Sequence, residues 1–591
     1  MVAIVSGNSL GLSLTSLATL GQQGSVGSSG AGRSGEQVFV NASNGNLVLR
    51  DQDDYVAAYG LDVSAVRTYN SAGKIVGGVQ DSWAVGVSRQ KVTVPATWGT
   101  GTITRTDFDG AEATYIWGGL NGSSPYYETT AGAGANDTIT RDAGTGQYIW
   151  TDGATGALER YDASGRLVST EDIQGNRIVH TYNAQGRLAS SVGANGETVS
   201  YLYSAAGDLT DITTSVPAGT VTKRVHYDWD ASHRMTRVTV DLTPADGSTA
   251  DGVSYWTTYS YVGTSNRIET IAQKDNSSLK FAYDAQQRVV SITDALSRVT
   301  TLTYDATGLK TRVLTAGGVA SDLLYNAAGR LSEIDVAGQL EHAFSYINVD
   351  DVTSVTDGAG QVTTFSYDTR GNQQSQRDAA GNTIERTYNA NNTLKTETVY
   401  HVAASTQGPV TPAAAPATTN YIYNASKPAE LRFVVSAQGR VTEYQTVKMP
   451  GAVGSVGPTT ILVYDQATYT GALTETALAT WALTQPAEGI MRTDLSYDAR
   501  GQLESKTTYL SVDATRLGVV AGKTTTSYTY TTQGLVWTTT QPGATGSTSG
   551  VTTNVYDGLG RLLQVTNALG EITLTSYDDA LMQTKVKLVR V

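Results

Sequence analysis

Mixed hydrophobic and polar runs of about six residues follow one another along the chain, and Gly-containing polar turns separate them. Three consecutive copies of one turn place a Gly four residues after a Tyr: Tyr161/Gly165, Tyr182/Gly186 and Tyr203/Gly207. The same 21-residue step then joins six further tyrosines: Tyr283, Tyr304, Tyr325, Tyr346, Tyr367 and Tyr388. It returns at Tyr556, Gly560 and Tyr577, and looser copies lie at Tyr227, Tyr261, Tyr423, Tyr464, Tyr497 and Tyr530. These positions are the predicted structural landmarks of an internal repeat.

A second turn divides each repeat near its middle, as in Asp172–Gly175, Asp357–Gly360 and Asp378–Gly381. The Asp side chain can accept a hydrogen bond from the backbone two residues on, and the Gly supplies a positive φ. This chemistry is typical of four-residue hairpin loops. Each repeat therefore predicts two strands and two tight turns. Because tight turns join only antiparallel neighbours, the fold class is all-β, a long antiparallel meander.

Seventeen tyrosine landmarks predict about thirty-four strands, whereas twisted open sheets rarely exceed about ten. The sheet must therefore curl. Neither strand face is cleanly apolar, as in the set Ile178, His180 and Tyr182, which favours a hollow, cocoon-like wall around solvent or cargo. A β-propeller would need eight or nine blades, at or beyond the usual limit of about eight. A parallel β-helix would want stacked inward aliphatic residues rather than two hairpin turns in each unit.

The predicted organisation has three parts: a flexible N-terminal segment over residues 1–35, an N-terminal β region over 36–160, and the repeat shell over 161–591. Within the second part, residues 74–160 fit either degenerate wall or an N-terminal plug. Residues 21–35 are rich in Gly and Ser, which predicts a linker. Pro- and Gly-rich insertions at Thr406–Asn420, Pro450–Pro458 and Gln541–Gly550 predict long loops.

Composition excludes several classes of function. The net charge is −13 and the sequence pI is near 4.9, so a nucleic-acid partner is not expected. There are no cysteines, which removes disulfides, Cys-ligated metals and Cys nucleophiles. No apolar stretch approaches the roughly 18 residues of a membrane-spanning helix. Residues 1–20 lack a basic start and an uninterrupted apolar run, so a standard Sec signal is not expected.

Candidate chemistry is sparse. Asp51–Asp54 and Asp107–Gly110 resemble halves of calcium loops but lack the distal bidentate Glu. The five histidines do not cluster, and His180 is predicted to be a satisfied strand residue. Pairs such as Asp162 and Arg166 predict exposed turn contacts. The sequence therefore predicts no enzyme activity, no metal and no cofactor. Tyrosines could stack on sugars, although cross-strand pairing is the favoured role.

The run Tyr161–Leu167 (YDASGRL), with its second turn and the next Tyr, resembles the RHS/YD repeat over about Tyr161 to Tyr577. Residues 41–73 look like the segment that precedes such repeats. The resemblance implies a shell that winds into a hollow cocoon around a cargo, as in bacterial polymorphic toxins, Tc complexes and, distantly, teneurins. Members that carry cargo end in a core with D-P-x-G motifs linked to self-cleavage. No Asp-Pro occurs here, so no self-cleavage is carried over and the closing core and toxin domain are expected to be missing.

The predicted function is the non-enzymatic shell of an RHS-type secreted toxin that encloses and shields a polypeptide. Its partners would be a polypeptide toxin cargo or a separate closing RHS-type subunit, and its location would be secreted or at the cell surface. The alternative is a cell-surface adhesin or carbohydrate-binding repeat protein that contacts a surface glycan.

Overall fold

The computed structural model describes residues 2–7, 9–20, 26–32, 35–72, 82–121, 124–132, 134–217, 221–243, 251–305, 307, 309–348, 350–401, 416–449, 452–543, 549–578 and 583–589. Strands hold 54% of the chain and helices 3%, which confirms the all-β prediction. Parts of the predicted linker (21–25 and 33–34) and of the predicted loops (402–415, 450–451 and 544–548) lie outside the described residues.

The N-terminal part forms a five-stranded sheet with the order β1-β2-β3-β4-β5. Its strands are β1 Ala3–Val5, β2 Gln37–Asn41, β3 Leu47–Val56, β4 Val63–Asn70 and β5 Trp83–Val85, and a short helix α1 spans Leu17–Leu20. Strand β1 pairs in parallel with β2, and all three of its side chains are buried. This differs from the predicted flexible segment over residues 1–35, because a three-residue strand among Ser and Gly gives no periodic signal. We call the described residues between 2 and 90 the plug.

A second sheet of forty strands begins at Lys91, and each strand pairs antiparallel with the next. Its first twenty-three strands are β6 Lys91–Thr93, β7 Ile103–Thr106, β8 Glu112–Asn121, β9 Ser124–Thr129, β10 Asp137–Arg141, β11 Tyr148–Thr151, β12 Leu158–Tyr161, β13 Leu167–Glu171, β14 Arg177–Tyr182, β15 Leu188–Val192, β16 Thr198–Tyr203, β17 Leu209–Ser215, β18 Val221–Trp229, β19 Met235–Asp241, β20 Ser254–Tyr261, β21 Ile268–Gln273, β22 Ser278–Tyr283, β23 Val289–Asp294, β24 Val299–Asp305, β25 Lys310–Leu314, β26 Ala320–Tyr325, β27 Leu331–Val336 and β28 Gln339–Ile347. The predicted meander is therefore confirmed, and it starts within the region predicted as 36–160.

The remaining strands continue the same sheet to the end of the described chain. They are β29 Asp351–Asp357, β30 Val362–Tyr367, β31 Gln373–Arg377, β32 Thr383–Tyr388, β33 Leu394–Tyr400, β34 Ala417–Asn424, β35 Lys427–Val435, β36 Val441–Gln445, β37 Thr460–Tyr464, β38 Ile490–Tyr497, β39 Leu503–Tyr509, β40 Thr524–Tyr530, β41 Val536–Gln541, β42 Gly550–Tyr556, β43 Leu562–Thr566, β44 Ile572–Asp578 and β45 Gln583–Val589. We call β6–β45 the wall. The strands from β12, which ends at Tyr161, to β45 number thirty-four, as the tyrosine landmarks predict.

The start of the wall curls back on itself. A bridge pairs Lys91 of β6 with Arg166, and the Val92 N–H donates to the Gly165 carbonyl at 2.9 Å. The inner side chains of these first strands form a separate core that includes Tyr115 and Tyr127. The wall therefore begins as a small filled ring.

The rest of the wall winds so that one edge of an earlier stretch meets the opposite edge of a later one. Turn residues of β9–β20 contact turn residues 21 to 23 strands further along, through these pairs: Asn136/Arg370, Gly153/Asn392, Asn176/Ser455, Asn195/Ala499 and Leu242/Gly558. A circuit of 22 strands spaced about 4.8 Å apart has a circumference of about 105 Å and a diameter of about 34 Å. The meander is thus a curled wall, and we call these turn-to-turn contacts the seam.

One helix interrupts the wall. Helix α2 spans Glu475–Thr484, and Thr474 caps it by accepting a hydrogen bond from the Ala477 N–H. Leu478 and Ala482 pack against Phe433, Leu462 and other residues of β34–β38. The ladder register places these strand residues on the face opposite the repeat tyrosines, so the helix covers the outside of the wall.

Candidate functional site

The repeat tyrosines fasten each hairpin to the one before it. The hydroxyl donates to a backbone carbonyl fifteen residues earlier in most regular copies: Tyr182 to Leu167 (2.6 Å), Tyr203 to Leu188 (2.8 Å), Tyr283 to Ile268 (2.8 Å), Tyr304 to Val289 (2.5 Å), Tyr346 to Leu331 (2.6 Å), Tyr367 to Val352 (2.8 Å), Tyr388 to Gln373 (2.9 Å) and Tyr577 to Leu562 (3.1 Å). Tyr556 donates to the Val536 carbonyl at 2.9 Å across an insertion. The fixed spacing therefore serves a backbone contact.

The turn that follows each Tyr completes the fastening. In the turn Asp162–Gly165, the Gly165 N–H donates to the Asp162 carbonyl at 2.9 Å, and Gly165 has φ +83°. The equivalent glycines Gly186, Gly207 and Gly560 also have positive φ. Arg166 pairs with Asp162 at 2.9 Å and lies over the Tyr182 ring of the next repeat. Burial raises the pKa of Tyr182 to about 12 although the neighbouring guanidinium opposes it.

Four landmarks make other contacts. Tyr161 donates to Glu159 and accepts from Arg105 inside the first ring, and Tyr325 bonds to Thr311. Tyr227 donates its hydroxyl to Asp53 of the plug. Trp229 makes the backbone contact instead, and its Nε1–H donates to the Leu209 carbonyl at 2.6 Å. Tyr464 ends an odd-numbered strand on the outer face and donates to Glu443. Insertions shift the phase at these last two positions, which spacing alone does not reveal.

The tyrosine face of β14–β28 packs on the plug, and we call these strands the filled stretch. One hydrophobic core runs from Ile178 in β14 to Phe344 in β28 and includes Val40, Leu49 and Tyr69 of the plug. Phe281 is 1% exposed within it. The plug therefore lies on the inner side of the wall. The set Ile178, His180 and Tyr182, mixed by sequence, faces this interior.

A buried ionic cluster joins the plug to the filled stretch. Arg67 is 1% exposed and contacts the carboxylates of Asp53 (2.8 Å), Asp51 (3.0 Å) and Glu36 (3.2 Å). Tyr259 of the wall donates to Glu36 at 2.6 Å. Two residues of the candidate calcium loop Asp51–Asp54 thus bind a guanidinium. Burial opposes the charge of Arg67, but its carboxylate neighbours, Asp53 foremost, raise its pKa well above the usual value.

The other candidate residues also have protein partners. Asp109 accepts a hydrogen bond from the Leu12 N–H at 2.7 Å, which ties the plug to the loop after β7. His180 is buried, its Nδ1 lies 2.9 Å from the Ser191 hydroxyl, and burial lowers its pKa to about 4. Within the described residues, no group of three or more His, Asp and Glu side chains is arranged to hold a metal ion. No helix of the described chain has the length and apolarity to cross a membrane.

The described inner face of the later wall is less covered, and its Val355 in β29 lies at the edge of the core that the filled stretch shares with the plug. In β29–β33 and β39–β45, which we call the bare stretch, no described hydrophobic side chain is buried. The register places Thr552, Asn554 and Tyr556 of β42 on the tyrosine face, where Thr552 lies opposite Thr539 of β41 and Asn554 lies opposite Val565 of β43. Hydroxyls and tyrosine rings share this face with apolar side chains such as Phe365, Ile384 and Val565. Its charged residues include Lys506 of β39 and Arg386, which is paired with Glu397 at 2.9 Å. The bare stretch therefore offers an open inner surface of mixed polar and apolar character with few charged groups.

The sequence model of the RHS Repeat family matches residues 161–198, 182–221, 283–320 and 349–383. The chain contains RHS repeats. The matched ranges contain six of the tyrosine landmarks, so the resemblance drawn from those residues is confirmed. No curated protein matches this RHS-repeat sequence.

Solved structures provide a second comparison. The chain is similar to a component of the Photorhabdus luminescens Tc holotoxin pore, with 12% identity and a TM-score of 0.38, over 92% of this chain and 31% of that one. It is similar to a chain of the TcdB2-TccC3 crystal structure with 13% identity and a TM-score of 0.34, over 92% of this chain and 32% of that one. It is similar to the N-terminal domain of effector protein SpvB from Salmonella typhimurium strain LT2 with 11% identity and a TM-score of 0.17, over 46% of this chain and 99% of that domain. The chain spans about a third of the length of the Tc toxin chains.

Proposed function

We propose that this RHS-repeat chain is part of a non-enzymatic shell, of the kind found in secreted toxins, that encloses and shields a polypeptide. The observation that carries the proposal is the bare stretch, whose twelve strands keep the tyrosine contacts and turns of the repeat but bury no described hydrophobic side chain. A folded sheet face that buries no core of its own is available to an occupant. The occupant would be a polypeptide toxin cargo, and a separate RHS-type subunit could close the shell.

The chemistry of the bare face supports a polypeptide occupant. Tyrosine rings and threonine hydroxyls contact many different side chains and backbone groups, as they do in antibody binding loops. Charged groups such as the Arg386–Glu397 pair and Lys506 are few on this face, so little charge is present to select one sequence. The face therefore suits confinement of a chain whose sequence varies. A sugar-binding role is disfavoured because the regular repeat tyrosines donate their hydroxyls to the backbone, and arginines cover several of their rings.

The enclosure can be tested with single cysteines, since the chain has none of its own. Thr552 and Thr553 are half-buried neighbours on β42 whose side chains point to the inner and outer face, respectively. We expect a small maleimide to label both the Thr552→Cys and Thr553→Cys variants, and a bulky polyethylene-glycol maleimide to label Thr552→Cys at least roughly fivefold more slowly. The Thr553→Cys variant is the matched control. Equal rates with the bulky reagent would contradict enclosure.

A second labelling experiment tests the occupant. An unfolded polypeptide appended after Val591 should slow labelling of Thr552→Cys by the small maleimide and leave Thr553→Cys unchanged. If the appended polypeptide slows neither variant, or is digested by protease as fast as the same polypeptide alone, the shielding role is wrong.

A further inference from the structure

One part of the seam brings two turns of the later wall against the loop between β9 and β10. The Asn136 N–H donates to the Arg370 carbonyl at 2.7 Å, and the Gly132 N–H donates to the Asp350 carboxylate at 2.6 Å. A Cβ on Gly371 would lie 2.4 Å from the Gly134 carbonyl oxygen, so the two backbones are in close contact. This contact closes one circuit of the wall.

Buried acids concentrate at this contact. Asp350 and Asp351 are consecutive, and their exposed fractions are 8% for the Asp350 side chain and 3% for Asp351. Among the described residues, the guanidinium paired with these acids is that of Arg330, which contacts Asp350 and is itself 6% exposed. Two carboxylates therefore share one positive charge. Asp137, which follows the contact residue Asn136, accepts a hydrogen bond from the Gly153 N–H at 3.0 Å.

The charged and titratable groups around these acids come from both sides of the seam. They are Arg330, Tyr346, Tyr367, Asp368 and Arg370 on the later wall, and Arg105, Tyr115 and Asp152 on the earlier wall. Arg330 and Arg105 offset only part of the free-energy cost of burying Asp350 and Asp137 as ionised carboxylates. Burial raises the pKa of Asp351 to about 6 and that of Asp137 to about 6, and it raises the pKa of Asp350 against the effect of Arg330.

We propose that this contact is an acid-tightened latch that holds successive circuits of the wall together at low pH and releases them as the solution becomes neutral. A protonated carboxyl can be buried without charge and can donate a hydrogen bond across the seam, whereas ionised neighbours repel each other and attract water. If the chain encloses a polypeptide as proposed, the latch regulates access to that polypeptide; this role rests on the proposed function.

The direction follows from proton linkage. A carboxyl whose pKa is raised on folding contributes its stabilisation fully below the unfolded value of about 4, and loses it as the pH rises through the folded value of about 6. The seam should therefore be most stable near pH 4 to 5 and weakest at pH 7 and above. Exposed turn acids such as Asp378, whose pKa the Asn382 side chain lowers, act in the opposite direction.

Hydrogen exchange of the full chain tests the latch directly. After correction for intrinsic exchange, backbone amides of residues 134–137 and 350–371 should open roughly tenfold more at pH 7.5 than at pH 5. The Asp351→Asn variant, which mimics the protonated acid, should remain protected at pH 7.5, and the Asp378→Asn control should behave as the unaltered chain. Equal opening of the unaltered chain at both pH values, or greater opening at pH 5, would overturn the latch even if no variant folds.

This test is independent of enclosure, because it needs no appended polypeptide and reads only seam amides. The maleimide experiment at pH 5 can fail while the seam still shows its pH dependence, which would overturn the shell and leave the latch. A shell that excludes the bulky reagent at both pH values, with a seam whose exchange does not change, would overturn the latch and leave the shell.

Discussion

The filled stretch and the bare stretch have the same backbone but different interiors. Both repeat the tyrosine contact: Tyr283 donates to Ile268 at 2.8 Å in the first, and Tyr388 to Gln373 at 2.9 Å in the second. The position two residues before the landmark tyrosine differs, however. Phe281, before Tyr283 in the filled stretch, is buried, whereas Phe365, before Tyr367 in the bare stretch, is half-buried. Turn and tyrosine chemistry therefore builds the wall, and the remaining inner positions decide whether it holds a core.

The difference shows how the wall folds where its inner face buries no core. Apolar cores lie inside the filled stretch, inside the first ring and under α2 on the outside of the wall, and the plug supplies the second surface for the first of them. The bare stretch depends on ladder hydrogen bonds, cross-strand hydroxyl pairs such as Thr529 with Thr538 at 2.6 Å, and the tyrosine contacts. Repeat arrays distribute stability between neighbours in this way. Matched substitutions in the two stretches should separate these contributions.

The largest contrast is expected from Phe281→Ala and Phe365→Ala. Removing a fully buried Phe leaves a cavity and should cost about 3–5 kcal/mol, whereas the half-exposed Phe should cost about 1 kcal/mol. Denaturant-induced unfolding combined with hydrogen exchange of β21–β23 and β29–β31 measures both. Similar costs at the two positions would mean that the bare stretch has a core on its inner face, which would remove the basis of the comparison.

Much of this wall could be predicted from the sequence, because its turns carry local signals. Tyr161, Gly165 and their equivalents mark hairpins whose geometry depends on neighbouring residues only. The plug could not be predicted in the same way. Its fit against the filled stretch rests on contacts such as Arg67 with Tyr259, which are 192 residues apart and have no periodic signature. The sequence therefore predicts that the wall has an interior face, but it does not predict which strands pack on the plug and which leave that face open.

The sequence also does not show which face of the wall the residues after an insertion occupy. Tyr464 looked like a landmark by spacing, but the loop before β37 exchanges the two faces of the strand, and α2 then covers the outside. A rule based on Tyr and Gly spacing cannot register that exchange, since a one-residue shift in a strand moves every side chain to the other face.

A smaller contrast is expected from removing tyrosine hydroxyls. Tyr283→Phe should cost about 1–2 kcal/mol, because the Ile268 carbonyl would lose its partner in a region where water cannot easily replace it. Tyr388→Phe should cost about 0.5 kcal/mol, because water can reach the Gln373 carbonyl in the bare stretch. Denaturation midpoints of the two variants against the unaltered chain give the comparison. A larger cost for Tyr388→Phe would show that the bare stretch is less accessible to water than its exposed side chains indicate.

The smallest contrast should come from the turns, where the two stretches are expected to agree. Gly318 and Gly360 both have φ +78°, and a Cβ at either position would have no atom within 4 Å. Alanine at each should therefore cost about 1 kcal/mol through backbone conformation alone. Hydrogen exchange of the flanking strands measures each cost locally, and the two should agree within about 0.5 kcal/mol. A cost at Gly360 well below that at Gly318 would mean that the bare hairpins need the plug to fix their turns, so that interior packing, and not turn chemistry, builds the wall.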